Sequence, residues 1–284
     1  MYNFLLDATI WLTSFLQRVQ FYLRRKIRYG KRDKVLDRNI VFKDKYKGKR
    51  CYILGNAPSL AKHDLSLLAN EHVFVVNSFY LHEQIKTIKP EFYVFADPTY
   101  WDVNNPEVLE IWKELGSKTH GLGINYLVSV RVKDTPVIKL LDQSGVYFVD
   151  ISLPFYPGSP YKFDMTMPVN GTQNSLGLCM QYAIYMGFEE IYLLGADHDW
   201  LTNYKIVNHF YDASQVKLKM VVDARQIPYH VWATGTSQIF WEYNQIKQYA
   251  NSRGVQIYNA SEAGVLDVFP LTTFKGSLNK AAKS

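Results

Sequence analysis

With 284 residues, 48% apolar and 20% charged, the chain can build one substantial core, which excludes a disordered protein. Its two cysteines, Cys51 and Cys179, sit in apolar segments without zinc spacing, which excludes a disulfide framework and fits reduced, buried thiols in the cytoplasm. The formal net charge of +6 belongs to the start of the chain: residues 1–50 hold 14 Lys and Arg against 4 Asp and Glu, so the remainder is net acidic and nucleic-acid binding by the whole domain is excluded.

In chain order, Leu5, Leu6, Ile10, Trp11, Leu12, Phe15, Leu16, Val19, Tyr22 and Leu23 recur at helical spacing. Arg18, Arg24, Arg25, Lys26, Arg28, Lys31 and Arg32 accompany and follow them. The apolar stretch between Asp7 and Arg18 is shorter than the roughly 20 residues that span a bilayer. A secretory signal would carry its charges first. Residues 1–32 therefore read as an amphipathic basic helix lying on an anionic membrane surface, peripheral on the inner face of the cell membrane. Packing on the domain or a homo-oligomer contact is the alternative. Residues 33–48 are charged and weakly patterned, and read as a linker.

From Lys49 onward strands and helices alternate. β-Branched and aromatic runs predict strands at 51–55, 73–77, 92–96, 146–150, 190–195 and 255–259. Spacing near 3.6 predicts helices at 59–69, 79–88, 106–115, 172–187, 213–222 and 238–253. Alternation of this kind implies an α/β fold with a mostly parallel, three-layer sheet over residues 49–284. Residues 151–171, with Pro154, Pro157, Gly158, Pro160, Pro168 and Gly171, read as a long loop of the lid type.

Ligands of such sheets bind beyond the C-terminal ends of the strands. The run Cys51–Leu54 ends in Gly55-Asn56-Ala57-Pro58-Ser59-Leu60, and Val73–Val76 ends in Asn77-Ser78-Phe79-Tyr80. Gly55 allows a tight turn, Asn56 offers an amide, and Ser59 can cap a helix whose N–H groups face an anion. A third strand ends at Asp97 and a fourth at Asp197-His198-Asp199. Together these residues predict a nucleotide pocket. Asp197-x-Asp199 resembles the pair that holds a divalent metal in many sugar transferases, and hard carboxylates suit Mg²⁺ or Mn²⁺. Equally, Asp197 braces the sheet edge while Asp199 is solvated. His198, His209 and His230 are candidate general bases near neutral pH, and Tyr204, Tyr211 and Tyr229 candidate donors to a departing phosphate. His63, His72, His82 and His120 lie in surface-like contexts.

The block Gly55–Leu60, then Asp64, Ser66 and Leu68, then Asn77-Ser78-Phe79-Tyr80, resembles the opening of the bacterial sialyltransferases of the Campylobacter type, glycosyltransferase family 42. Ser175 with its helix and Met186–Asp197 form a second similar block, and 237–266 a weaker one. The same opening is similar to a broader group of nonulosonate transferases and hydroxymethylpterin-diphosphokinase-like proteins. The resemblance implies a Rossmann-like domain with a lid-like insertion, a CMP-linked nonulosonic sugar donor, inversion without a required metal, and a glycan or glycolipid acceptor in surface-polysaccharide synthesis. It implies nucleotide and phosphate contacts for Asn56, Ser59 and Asn77, and a CMP contact for Ser175. Asp97 stands where the family has Asn, and Thr172 where it has an arginine. The family's catalytic histidine falls near Thr236 or Ser237, leaving His230 as first candidate base, His209 as second, and Asp197 and Asp199 as third. The alternatives are an ATP- and Mg²⁺-dependent diphosphotransferase using Asp97, Asp197 and Asp199, and a non-catalytic member that binds a glycan or partner protein.

Overall fold

The computed structural model describes residues 26–95, 97–153, 155, 163–203, 209–210 and 227–279, together with 12, 15, 16, 19, 20, 22 and 23. The expected helix at 213–222, and Tyr204 and Tyr211, lie outside these residues. The short apolar runs pair into an all-parallel, seven-stranded sheet: β1 (Arg50–Leu54), β2 (His72–Val76), β3 (Phe92–Phe95), β4 (Asn125–Ser129), β5 (Val146–Val149), β6 (Glu190–Leu194) and β7 (Gln256–Asn259). Their spatial order is β5-β4-β3-β2-β1-β6-β7. The order reverses beside β1, whose neighbours are β2 and β6, so the crevice beyond these three strand ends is the topological switch point.

Successive side chains of a strand point to opposite faces. On β1, Cys51 and Ile53 join one apolar cluster, while Tyr52 and Leu54 join the other. The first cluster holds α3 (Ser175–Met186) and the inner face of α4 (Tyr229–Ser252). The second holds α2 (Pro106–Thr119), the short α1 (Ile85–Ile88) and α5 (Phe274–Asn279). The result is a Rossmann-like three-layer α/β fold. Every residue of α3 is buried, as a helix apolar all round must be.

Each expected strand appears within a residue of its expected bounds, and β4 is an additional one. Its apolar centre, Tyr126-Leu127-Val128, is too short for periodicity to register. The helices expected at 59–69 and 79–88 are instead 3₁₀ turns, Pro58–Lys62, Leu65–Leu68 and Asn77–Leu81, followed by the single turn of α1. Asp64 explains the first break: its carboxylate accepts from the Ser66 N–H (3.1 Å) and starts a new turn. α4 begins at Tyr229, well before the expected 238, because Gly235 and Thr236 obscure its early turns.

The expected linker 33–48 belongs to the core. Lys34–Phe42 is a 3₁₀ helix capped by Asp33, with Leu36, Asn39 and Phe42 buried. The Asn39 amide donates to the carbonyls of Phe148 (2.7 Å) and Met165 (2.8 Å). Phe42 packs on Tyr147 at 4.5 Å and Phe92 at 5.7 Å, and Tyr46 stacks on Phe188 at 4.6 Å. These few large apolar residues stand among many charges, so mean composition hid them. The proline-rich 151–171 likewise packs down in its described part: Leu153 bridges Asn170, and Phe163, Met165 and Val169 are buried. If 33–48 is core, Phe42→Ala should cost about 3–5 kcal/mol in urea unfolding, whereas a linker residue would cost almost nothing.

Candidate functional site

The exit of β1 is locked to the exit of β6. The Gly55 N–H donates to the Leu194 carbonyl (2.8 Å) and the Ala57 N–H to the Gly195 carbonyl (3.1 Å). A Cβ on Gly55 would stand 2.2 Å from the Gly195 oxygen, so glycine alone fits there. Gly195 itself takes a φ of +62°. Beyond this seam lies a cavity of about 200 Å³.

Most of the residues singled out from the sequence meet in it. Gly55, Asn56, Asn77, Ser175, Asp197, His198, Asp199 and His209 all line the cavity. Asn56 Nδ2 donates to the Val76 carbonyl (3.4 Å), tying β1 to β2, and its Oδ1 is buried without a partner. Asn77 takes a left-handed φ of +48°, and its Oδ1 accepts from Ser175 Oγ (3.3 Å). Ser175 opens α3, whose N-cap Asn174 accepts from the Gly177 N–H (3.0 Å). The positive end of that helix dipole therefore meets the cavity.

Asp197 and Ser59 form one unit. The Ser59 N–H donates to Asp197 Oδ2 (3.2 Å) and its hydroxyl to Oδ1. Ser59 is thus buried behind Asp197 rather than in the cavity wall, and Asp197 is a brace. Asp199 accepts from Asn203 Nδ2 (2.6 Å). Both carboxylates are engaged by protein donors, which fits a divalent ion poorly. Among the described residues no cluster of three His, Cys, Asp or Glu is placed to hold a metal.

Asp97 stands apart, its Oδ1 accepting from the Thr99 N–H (2.8 Å) as cap of the turn after β3. His230 is also apart, exposed in the first turn of α4 and not in a loop that reaches the cavity. Thr236, near where the resemblance placed a histidine, is buried in the same helix.

His198 is the buried histidine of the site, at φ +55°. Its Nε2 meets Tyr243 Oη at 2.9 Å, and its ring packs against Trp200 at 4.5 Å. Burial pulls the imidazole down to about 4, so it is neutral at pH 7. At His209, desolvation also lowers the pKa, opposed by a hydrogen bond with the Asn56 backbone. Sequence reasoning missed Tyr243 and Glu242 of α4. Tyr243 Oη bonds Asn174, and Glu242 Oε2 accepts from the Gln173 N–H (2.9 Å), so α4 positions the start of α3. Asn174 had a signal, a capping residue before an apolar run. Tyr243, remote in sequence, had none.

The chain belongs to the MptE-like family. The family model, described as 6-hydroxymethylpterin diphosphokinase MptE-like, matches residues 32–203, more than half of the chain. No curated protein matches it. The match shows the broader group expected from the Gly55–Leu60 opening, of transferase type, and does not single out the sialyltransferase branch. Its span in this MptE-like chain runs from the buried 33–48 segment through β6 to the Asp197–Asp199 turn. His209, His230 and Tyr243 lie beyond it.

Two measurements check this geometry. Ser59→Ala should cost about 1.5–3 kcal/mol in urea unfolding, because a buried carboxylate loses a charge-assisted bond. The unfolded His198 titrates near 6.5 and the native one near 4. Between these values only the unfolded chain binds the proton. The stability is therefore complete above about pH 6.5 and declines as pH falls toward 4, by about 3 kcal/mol in all. Wild type compared with His198→Asn at pH 7 and 4.5 should show that slope lost in the variant.

Proposed function

We propose that this protein is an inverting glycosyltransferase that moves a nonulosonic, sialic-type sugar from CMP to a hydroxyl of a glycan or glycolipid acceptor in bacterial surface-polysaccharide synthesis. The observation that carries this reading is the charge of the cavity. Its described lining holds no Lys or Arg, its two carboxylates, Asp197 and Asp199, are engaged by protein donors, and the donors it offers are neutral: Asn56, Asn77, Asn174 and Ser175. One phosphodiester carries a single negative charge, which neutral amides, a hydroxyl and a helix N-terminus can hold. A migrating diphosphate spreads several charges over its oxygens and calls for Lys, Arg or metal ions.

In this reading the glycosyl–oxygen bond breaks through an oxocarbenium-like state, and the start of α3 stabilises the departing CMP phosphate. His209 accepts the proton of the acceptor hydroxyl, since its lowered pKa keeps the ring neutral at pH 7. Asp199 is the second candidate base. His198 and Tyr243 hold the turn after β6 and the start of α3 in register.

A second reading, an ATP- and Mg²⁺-dependent diphosphotransferase, is favoured by the family's description and by Asp197 and Asp199 at one edge. A thermal-shift panel separates the two. A ligand at about 100 times its Kd adds roughly 2.7 kcal/mol to the native state. CMP and CTP should protect with or without Mg²⁺, and Asn56→Ala or Ser175→Ala should weaken that binding by about 1–3 kcal/mol. Protection by ATP only with Mg²⁺ would establish the second reading. Protection by no nucleotide would leave a non-catalytic binder.

A further inference from the structure

The described residues of the N-terminal segment are helical, and Leu12, Leu16, Val19, Leu23 and Ile27 on it are between 39% and 58% exposed. Steps of three and four place these five side chains on one helix face. No Asp or Glu occurs between Asp7 and Asp33, while Lys26, Arg28 and Lys31 are exposed beside the stripe and the sequence adds Arg18, Arg24 and Arg25. An apolar face bordered only by cations matches an interface of acyl chains and anionic headgroups. Among the described residues no helix is long and apolar enough to cross a membrane.

The point where this helix joins the domain is fixed. Arg32 Nη1 pairs with Asp37 (2.5 Å) and reaches the Thr166 carbonyl (3.4 Å), and Asp33 pairs with Lys133. Lys133 follows the turn after β4, and Thr166 lies in the segment after β5. Both follow strand C-termini. The chain therefore enters the domain at the sheet edge that carries the cavity, and only then descends along Lys34–Phe42 toward the opposite edge, where Arg38 meets the Ser144 and Val146 carbonyls.

We propose that the Leu12–Ile27 face docks on an anionic lipid bilayer, bringing the cavity-bearing edge of the sheet toward the membrane surface. An acceptor carried on a lipid would then meet the cavity without leaving the bilayer, a consequence that rests on the transferase reading, whereas the docking itself does not.

The test is co-sedimentation of the full-length protein with vesicles of phosphatidylcholine alone or mixed with phosphatidylglycerol. Binding to the anionic vesicles should exceed binding to the neutral ones by about tenfold or more, and should fall as salt shortens the screening length below about 10 Å. Leu16→Asp/Leu23→Asp should reduce the partition about tenfold or more while the thermal melt stays that of the wild type, because both side chains are exposed. Equal binding to neutral vesicles, or undiminished binding by the double variant, overturns the proposal. So does light scattering that shows a dimer in the wild type and a monomer in the double variant without vesicle binding, since a second copy would then cover the stripe. Each of these outcomes leaves nucleotide protection, and hence the transferase reading, untouched.

Discussion

The backbone seam between the exits of β1 and β6 governs the site. Parallel strands end at one edge, and there each strand must release its chain into a turn. Where strand order reverses, the two chains leave in different directions and open a crevice. Here the crevice is kept narrow at its base by Gly55 against Gly195, flanked by the hydrogen bonds of the Gly55 N–H to Leu194 and of the Ala57 N–H to Gly195. Anything larger than hydrogen on Gly55 would push the β6 exit away and carry Asp197 and His198 with it. The Ser59–Asp197 pair then fastens the second turn after β1 to the same β6 exit. One face of the cavity is thus defined almost wholly by main-chain geometry.

Other parts of the lining are held by side chains and strained backbone. Asn77 and His198 both adopt left-handed backbone conformations, uncommon outside glycine and of the kind that persists only where surroundings impose it. The Asn77 carbonyl accepts from Tyr93 Oη (2.5 Å), which also accepts from the Tyr80 N–H (2.9 Å), so a buried tyrosine of β3 holds the turn after β2. His198 is held by Tyr243 and by the rings of Trp200 and Phe240. Burial keeps His198 neutral and pushes Tyr243 well above its ordinary range, so neither exchanges protons near neutral pH. They form a rigid frame of neutral hydrogen bonds. In the proposed transfer, proton movement would fall instead to His209 and Asp199, which also line the cavity.

The sheet and the cavity edge were legible in the sequence because parallel strands buried on both faces read as continuous β-branched and aromatic runs, and because each run ends in a polar turn. Gly55, Asn56, Asn77, Asp197 and His198 could be grouped from the sequence for that reason, while Ser175 joined them only through the family resemblance. What could not be read was the partner of each group. Asp197-x-Asp199 has the same spelling whatever its carboxylates face, and here the partners are Ser59, far away in the chain, for Asp197 and Asn203 for Asp199. Asp97 shares the edge but serves as a cap. His230 precedes the helix expected at 238–253, and the early start of α4 at Tyr229 carries it away from the cavity. The core role of Leu36 and Phe42 escaped because a 3₁₀ helix carries little periodic signal amid the eight charges of residues 33–48.

The family match ends soon after the β6 turn, and this division has a physical sense. Residues 32–203 contain the Gly55–Gly195 seam, the Ser59–Asp197 brace, Asn77 and the start of α3, and with them most of the described cavity lining. Residues beyond it supply His209 at the mouth, and α4 with Glu242 and Tyr243 behind. A phosphate-binding edge presents the same demand whatever is attached to the phosphate. In the proposed transfer, the group moved and the hydroxyl that receives it would meet Asp199, inside the matched span, and His209, outside it. Under the proposed transferase reading, the residues that tell one substrate from another are therefore to be sought in the C-terminal third as well as in the motif that reveals the family.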